Sequence, residues 1–204
     1  MKMNRELIVS YLDSLFEDPK CELNYTKDYE LVLSVMLSAQ TTDKGVNRVT
    51  SKLYKEYDTL EKLNTLSIKE IEDYIRSIGF YRVKSVNFKK IVEKLLEIGY
   101  VPNDRKFLES LPGVGRKTAS VVLAHLFNEP SFAVDTHVFR VSKRLDITKE
   151  KDDVLVTEKK LKKYFNKDEW NRVNSQFVLF GRYYCTSQNP KCENCKLKSI
   201  CKKR

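Results

Sequence analysis

Four cysteines near the C-terminal end are the residues whose spacing points most directly to chemistry. They are separated by six, two and five residues, within a segment of seventeen: Cys185, Cys192, Cys195 and Cys201. Thiolates this close in sequence can reach one centre, and neither histidine of the chain lies among them. Four cysteine ligands serve either a structural zinc ion or an iron–sulfur cluster, although the wide outer gaps fit paired zinc knuckles poorly. The spacing therefore predicts a metal centre and leaves the choice of metal open.

The cysteine-rich segment is also strongly basic. Lys191 and Lys196 lie between the cysteines, and further cations are Lys198, Lys202, Lys203 and Arg204. A loop tied by a metal and carrying these charges is expected to bind phosphate, with an affinity that falls as salt rises. Lys191 and Lys196 are therefore candidate DNA contacts.

Residues 111–119 read Leu-Pro-Gly-Val-Gly-Arg-Lys-Thr-Ala and stand between two segments of helical pattern. Gly113 and Gly115 permit a tight turn and a close approach to a ligand. The amides that begin the following helix can hold a phosphate. The string lacks the third glycine of a dinucleotide-binding loop, and Arg116 interrupts the Gly-Lys-Ser/Thr order of a Walker loop. It is typical of a helix-hairpin-helix that grips the DNA backbone, so both glycines and Arg116 are candidate DNA contacts.

The charge balance fits a polyanionic partner. The 204-residue chain has 38 Lys and Arg against 28 Asp and Glu, a formal charge of +10, which suits nucleic acid or an anionic membrane surface. No segment approaches the roughly 20 apolar residues of a membrane span, and the first residues do not resemble a signal peptide. We expect a cytoplasmic protein with reduced thiols. Cys21, the fifth cysteine, is expected to be a buried apolar residue.

Apolar periodicity predicts helices nearly throughout the chain. One helical face ends at Gly99 and contains Phe88, Ile91, Val92, Leu95 and Leu96. Residues 67–70 read as a capping box, and residues 31–39 as an apolar helix central to the core. Further helices are predicted at 5–16, 43–56, 116–127, 136–145, 153–164 and 169–183. No alternating run bounded by hairpin signals occurs, so the fold class is all-α, with roughly ten helices.

Three strings together resemble the endonuclease III type of helix-hairpin-helix base-excision glycosylase. They are the hairpin at 111–119, Ala-Val-Asp-Thr-His-Val-Phe-Arg at 133–140, and the cysteine tail. Leu-Ser-Ala-Gln-Thr-Thr-Asp at 37–43 is similar to an early motif of the same family. The resemblance covers almost the whole chain, in the family's order.

The resemblance implies a two-lobed helix-hairpin-helix glycosylase fold. A six-helix barrel domain is expected over residues 21–130 and includes the hairpin. A discontinuous helical domain is expected to join residues 1–20 to 131–204 and to hold a [4Fe–4S] cluster on the four cysteines. The resemblance also implies that damaged duplex DNA binds in a cleft with Lys117 on one side and Asp135 on the other.

Lys117 is implied to be the catalytic nucleophile. A neutral lysine amine can attack the sugar C1′, expel the damaged base and form a Schiff base, after which β-elimination breaks the strand. Asp135 precedes an apolar helical run, where an aspartate commonly caps the helix. The resemblance adds that Asp135 assists deprotonation of Lys117 and stabilises positive charge on the sugar. His137 and Arg140 are read as structural or as phosphate contacts.

Gln40 and Phe80 resemble the residues with which the family fills the gap left by a flipped-out nucleotide. Gln40 is otherwise read as an ordinary polar residue that ends an apolar helix. An aliphatic residue is common at the second wedge position, and the ring of Phe80 could stack on the orphaned base or belong to the core. Phe180 also departs from the polar residue expected before Gly181.

The activity implied is that of a bifunctional DNA glycosylase and AP lyase that removes oxidised pyrimidines such as thymine glycol. One alternative is a monofunctional adenine or mismatch glycosylase, whose known relatives lack the lysine at position 117. A second is a non-catalytic DNA-binding module, and a third is the same enzyme with zinc in its tail. A monomer without membrane partners is expected.

Overall fold

The computed structural model describes residues 2–202, and every regular element in that range is helical. The α-helices are α1 (Lys2–Leu15), α2 (Asp28–Leu37), α3 (Asp43–Glu56), α4 (Leu60–Thr65), α5 (Ile68–Ile75), α6 (Tyr81–Ile98), α7 (Arg105–Ser110), α8 (Arg116–Phe127), α9 (Thr136–Arg144), α10 (Val154–Tyr164) and α11 (Trp170–Tyr183). Two short 3-10 helices lie at Lys167–Glu169, just before α11, and at Lys198–Ile200, after it. The predicted all-α class is confirmed. Lys203 and Arg204, predicted to be part of the basic tail, lie outside the described residues.

The chain divides into two compact units, each with its own apolar core. Residues 21–127 form the first, which contains α2 to α8 and is called the hairpin unit below. Residues 1–20 and 128–204 form the second, which contains α1 and α9 to α11 and is called the cysteine unit. Within the described range, no helix is long and apolar enough to cross a bilayer.

Helix α2 is the centre of the hairpin unit. Every residue from Glu30 to Leu37 is buried, and the helix packs against α3, α6 and α8. Burial on all sides requires the apolar sequence Leu-Val-Leu-Ser-Val-Met-Leu rather than a one-sided stripe. The predicted central helix is therefore confirmed, but it ends earlier than the sequence pattern indicates, because Ala39 lies in an exposed turn.

Side chains and backbone bonds at the helix ends set the lengths of several helices. The Ser67 hydroxyl accepts from the Glu70 amide at 3.2 Å, while the Glu70 carboxylate accepts from the Ser67 amide at 2.8 Å, which confirms the predicted capping box. Gly99 ends α6 at a φ of +85° and donates to the Leu95 carbonyl at 2.8 Å. Asp104 caps α7 by accepting from the Lys106 amide at 2.7 Å.

The core of the cysteine unit is built around three aromatic rings. Phe132, Phe165 and Phe177 stack or meet edge-to-face, with centroids 5.6 to 6.2 Å apart. Helix α11 packs against α1 and α9. Its contact with α9 is close at Gly181, where a Cβ atom would lie 2.7 Å from the Cβ of His137. Only glycine fits there, so Gly181 sets the distance between these two helices.

The two glycines between α7 and α8 have different surroundings. Gly113 has a φ of +78°, and a Cβ atom there would lie 2.7 Å from Asn87 Nδ2 and 3.2 Å from Met36 Cγ. Gly115 has no positive φ, and a Cβ atom there would have no neighbour within 4 Å. The fold therefore requires a glycine at position 113, whereas position 115 faces open space.

We predict that Gly113→Ala lowers the free energy of unfolding by about 1–3 kcal/mol, because alanine is strained at positive φ and its Cβ would displace Asn87. The matched variant Gly115→Ala should leave stability within about 0.5 kcal/mol of wild type, since nothing occupies the added space. Urea unfolding followed by far-UV circular dichroism measures both. Equal losses in the two variants would contradict this division of roles.

Candidate functional site

The hairpin presents two cations at the start of α8. Arg116 and Lys117 are the first two residues of that helix, and both side chains are exposed. The Ala119 amide donates to the Gly115 carbonyl at 2.9 Å, which is the first hydrogen bond of α8. The amides that precede Ala119 in the first turn therefore have no acceptor within the helix. Amides of this kind, together with the positive end of the helix dipole and open space over Gly115, form a seat for an anion.

Lys117 is presented by the hairpin unit without an electrostatic partner of its own. No described residue forms an ion pair or hydrogen bond with its amine, unlike neighbouring Arg105, which pairs with Glu109 at 3.4 Å and donates to Ser120 Oγ at 3.1 Å. The next residues of the helix, Ala119 and Ser120, are buried. The Lys117 side chain is therefore exposed on the first turn of a helix whose next residues are buried.

Asp135 belongs to the cysteine unit and is the N-cap of α9. One carboxylate oxygen, Oδ1, accepts from the amides of His137 and Val138, both at 2.8 Å. No described residue donates to Oδ2, and the side chain is half-buried. The predicted cap is thus present, and it uses only one of the two oxygens.

Gln40 and Phe80 lie on neighbouring loops of the hairpin unit. Both are exposed residues with positive φ, +55° at Gln40 and +59° at Phe80. A Cβ atom at Gly79 would be 3.8 Å from the Gln40 carbonyl oxygen, which measures how close the loops are. Phe80 is 65% exposed, so the alternative that its ring belongs to the core is wrong.

Lys84 is a residue of this region that the sequence analysis missed. It is only 5% exposed, and its ammonium donates to the Leu37 and Ala39 carbonyls at 2.8 and 2.7 Å and to Thr41 Oγ1 at 3.0 Å. Burial lowers the pKa of this lysine. A signal was present in the sequence, because Lys84 lies four residues before Phe88 on the apolar face of α6.

The four cysteines predicted to bind a metal line one cavity of the cysteine unit, about 30 Å³ in volume. Each is half-buried, and the remaining walls include the rings of Tyr11 and Phe180. Burial raises the pKa of the Cys195 thiol, and the other three cysteines add to that rise. Across residues 2–202 no group of three or more His, Cys, Asp or Glu side chains is placed to hold a single metal ion.

Two arginines of α9 hold the backbone around the cysteine loop, the segment 185–202 that follows α11. Arg140 donates to the Gly181 carbonyl at 2.8 Å and to the Cys185 carbonyl at 3.2 Å. Arg144, which the sequence analysis did not single out, donates to the Thr186 carbonyl at 2.7 Å and to Cys185 Sγ at 3.2 Å. His137 is half-buried with Nδ1 3.3 Å from Arg140, and burial lowers its pKa. These contacts support the structural alternative for Arg140 and His137.

The predicted basic contacts stay on the surface of the loop. Lys191 and Lys196 are exposed, and their ammonium groups lie 4.9 Å and 6.0 Å from the ring centroids of Tyr184 and Tyr11. A cation over an aromatic ring is held in place while its other side remains open to solvent. Cys21, predicted to be a buried apolar residue, packs against the hairpin-unit core but is only half-buried.

Comparison with known proteins gives agreement over the whole chain. Residues 33–167 match the family model of the HhH-GPD superfamily of base excision DNA repair proteins. Endonuclease III of Bacillus subtilis is 44% identical over 199 residues, covering 97% of this chain and 91% of the relative. Endonuclease III of Escherichia coli K12 is 41% identical, with 98% and 96% covered.

Solved structures give the same result. A trapped endonuclease III–DNA covalent intermediate, in an estranged-adenine complex, is 43% identical, with a TM-score of 0.93 and coverage of 99% of this chain and 96% of that one. A thermostable thymine-DNA glycosylase shares the fold at a TM-score of 0.83 but only 21% identity. From its hairpin, its helical fold and these matches, the chain belongs to the HhH-GPD superfamily of base excision DNA repair proteins and, within it, to the endonuclease III family.

Proposed function

We propose that this protein is a bifunctional DNA glycosylase and AP lyase that removes oxidised pyrimidines from duplex DNA. The observation that carries the proposal is the unpartnered Lys117 amine on the first turn of α8, directly after the DNA-gripping hairpin. A similar enzyme, 43% identical, has been trapped as a covalent intermediate with DNA, which requires a nucleophile on the protein. With DNA as its substrate, the enzyme is expected to act at the nucleoid, in the cytoplasm.

In the first step, the neutral Lys117 amine attacks C1′ of the damaged nucleotide. The bond between C1′ and the base breaks, and the base leaves with the bonding electron pair and takes up a proton. One amine proton is lost, the C1′–O4′ bond then breaks as O4′ takes up a proton, and the sugar ring opens to give a protonated Schiff base between Nζ and C1′. The hairpin amides and Arg116 hold the DNA backbone while this occurs.

In the second step, the Schiff base acidifies the hydrogens on C2′. Removal of one of them sends its electron pair into a C2′–C3′ double bond, and the C3′–oxygen bond breaks with the phosphate as the leaving group. The strand is thereby cut 3′ to the lesion. Hydrolysis of the Schiff base then releases the sugar remnant and returns Lys117 to its starting form.

Asp135 is proposed to assist this chemistry with the carboxylate oxygen that the helix cap leaves unused. Oδ1 is committed to two amides of α9, which fixes the plane of the carboxylate. Oδ2 can then accept a proton from the amine and stabilise the positive charge that develops on the sugar. The cap and the catalytic role are compatible because each uses a different oxygen.

Gln40 and Phe80 are proposed to enter the duplex when the damaged nucleotide leaves the stack. Their exposure and their position on adjacent loops support this role. The amide of Gln40 can satisfy base hydrogen bonds in the vacated space, and the ring of Phe80 can stack on the unpaired base. Lys191 and Lys196 are proposed as phosphate contacts of the cysteine loop.

The four cysteines are proposed to hold a [4Fe–4S] cluster, and zinc is the alternative. All four cysteines line one cavity, and four thiolate ligands of this kind serve an iron–sulfur cluster or a zinc ion. Arg144 donates to Cys185 Sγ, as expected beside a thiolate ligand. When bound, the cluster supplies cross-links between four points of the loop. In this proposal the loop belongs to a cluster domain (1–20 and 131–204), and the hairpin to a barrel domain (21–130).

Borohydride trapping on a duplex with one thymine glycol tests the nucleophile. Wild type should give a covalent protein–DNA adduct, because borohydride reduces the Schiff base to a stable amine, and Lys117→Gln should give none. Lys106→Gln removes another exposed lysine of the same hairpin and should leave the adduct yield unchanged. A wild type that releases the base and leaves an intact abasic site would instead be a monofunctional glycosylase. Binding without base release would indicate a non-catalytic module.

Two variants separate the cap from the chemistry at Asp135. Asparagine caps helices about as well as aspartate, so Asp135→Asn should unfold within about 0.5 kcal/mol of wild type, yet excise thymine glycol about 100-fold or more slowly. Asp135→Ala should lose both functions, including about 1 kcal/mol of stability. Single-turnover kinetics and thermal unfolding report the two effects. Wild-type excision by Asp135→Asn would show that the aspartate is only a cap.

Metal analysis of the purified protein tests the cysteine centre. We expect a brown protein with about four iron atoms per chain, and loss of that iron in Cys192→Ser. The matched variant Cys21→Ser, in the other unit, should keep its iron. Trypsin should cut the lysine-rich loop faster in Cys192→Ser, because the cross-links are gone. A colourless wild type that contains zinc and no iron would establish the alternative.

A further inference from the structure

Lys84 is a buried cation in the first turn of α6 that the proposed chemistry does not use. Its ammonium has three hydrogens, and three acceptors surround it: the carbonyls of Leu37 and Ala39 and the hydroxyl of Thr41, at 2.7 to 3.0 Å. No carboxylate among the described residues forms an ion pair with it. The charge is instead stabilised by the negative end of α2, because the ammonium donates to the carbonyl of Leu37, the last residue of that helix.

The core alone does not explain a lysine at this position. Lys84 shares the apolar face of α6 with Phe88, Ile91 and Leu95, all fully buried, and a leucine or methionine would continue that face without the cost of desolvating an ammonium. Burial lowers the pKa of Lys84, a sign of that cost. The three hydrogen bonds of the ammonium offset this cost and hold its acceptors in place.

The conformation that Lys84 fixes is the turn that presents Gln40. Two of its acceptors, on Ala39 and Thr41, are the immediate neighbours of Gln40 in the chain. Gln40 has a φ of +55°, a strained backbone conformation for a residue other than glycine. Because the residues on both sides of Gln40 are hydrogen-bonded to Lys84, the turn keeps this conformation. The Gln40 side chain remains exposed.

Phe80 is the N-cap of the helix that carries Lys84. The backbone amide of Lys84 donates to the Phe80 carbonyl at 3.0 Å, the first hydrogen bond of α6, and Phe80 too has a positive φ, of +59°. The loops approach each other at Gly79, where a Cβ atom would lie 3.8 Å from the Gln40 carbonyl oxygen. Lys84 is therefore bonded through its side chain to one loop and through its backbone to the other.

We propose that Lys84 is a positioning residue that locks Gln40 and Phe80 at a fixed separation, so that both enter the duplex as one rigid wedge. The inference rests on the proposed role of these two residues in filling the gap. A rigid pair does not lose conformational freedom on insertion. A misplacement of either side chain by about 1 Å would leave the gap only partly filled.

The test compares Lys84→Met with Lys89→Met. Lys89 lies on the same helix, and its ammonium donates to Asn64 Oδ1, near the end of α4, at 2.9 Å. It is the control because Asn64 belongs to neither loop. Base unstacking is read from 2-aminopurine beside the lesion, in proteins that also carry Lys117→Gln so that binding occurs without chemistry. Excision is then measured with Lys117 intact.

Lys84→Met should reduce the 2-aminopurine signal and slow single-turnover excision about 10- to 100-fold, with affinity for undamaged duplex within about twofold of wild type, since the hairpin is intact. Lys89→Met should match wild type in all three. Gln40→Ala should slow excision strongly in wild type but by less than about twofold in Lys84→Met, because the two changes disable the same wedge. Equal effects of the two lysine variants, or additive effects of Gln40→Ala, would overturn the positioning role.

Two further variants keep the test decisive. If Lys84→Met does not fold, Thr41→Val removes one of the three acceptors with little change in shape, and it should slow excision about threefold or more. Wild-type unstacking and excision in Thr41→Val would also overturn the proposal. Wild-type behaviour of both Gln40→Ala and Phe80→Ala would show instead that the wedge assignment is wrong, independently of Lys84.

Discussion

The burial of α2 on all sides is the constraint on which the hairpin unit depends. A helix that is surrounded by protein cannot leave its terminal amides and carbonyls to water, and each unpaired buried group costs stability. Two buried charged side chains lie at the ends of this helix. The Glu30 carboxylate accepts from the amides of Thr26 and Lys27, just before the first turn, at 2.7 and 3.2 Å. The Lys84 ammonium donates to the carbonyls of Leu37, the last residue of the helix, and Ala39, in the turn that follows. Each charge has the sign that the helix dipole favours at its end.

This arrangement also links the core to the surface that would meet DNA. The residues that follow α2 form the turn carrying Gln40, and Met36, inside α2, lies against the position that a Cβ atom of Gly113 would occupy. A shift of α2 would therefore move both the turn and the hairpin loop. The unit holds its proposed DNA contacts on one buried helix, because a rigid support costs less entropy on binding than flexible loops would.

Local signals in the sequence were sufficient to predict most of the helices. Ser67 and Glu70, Gly99 and Asp135 act through neighbours within a few residues, and the apolar periodicity of α6 reflects one buried face. The role of Lys84 depends on contacts with residues more than forty positions away, which no local pattern contains. The same holds for Arg144, whose acceptors lie forty-one and forty-two residues later in the chain. Phe80 was ambiguous because an aromatic residue after a helix-ending glycine is compatible with core or surface, and only its exposure decides.

The cysteine loop is held by a different balance of forces from that of the hairpin unit. Between Cys185 and Lys202 only Leu197 is fully buried, so apolar burial contributes little to fixing this segment. Its backbone is held instead by hydrogen bonds. Arg140 and Arg144 donate to carbonyls near the end of α11 and just after it, and the Lys202 amide donates to the Arg144 carbonyl at 2.7 Å. These bonds hold the two ends of the loop against α9. In the middle, where the thiols line their cavity, the Lys191 amide donates to the Tyr184 carbonyl at 2.9 Å and the Tyr11 hydroxyl to the Asn194 carbonyl at 3.4 Å. A metal group bound there would add the cross-links that burial does not supply. On this reasoning such a group would first give a small, cationic loop a fixed shape, which the proposed recognition of phosphate by exposed lysines requires.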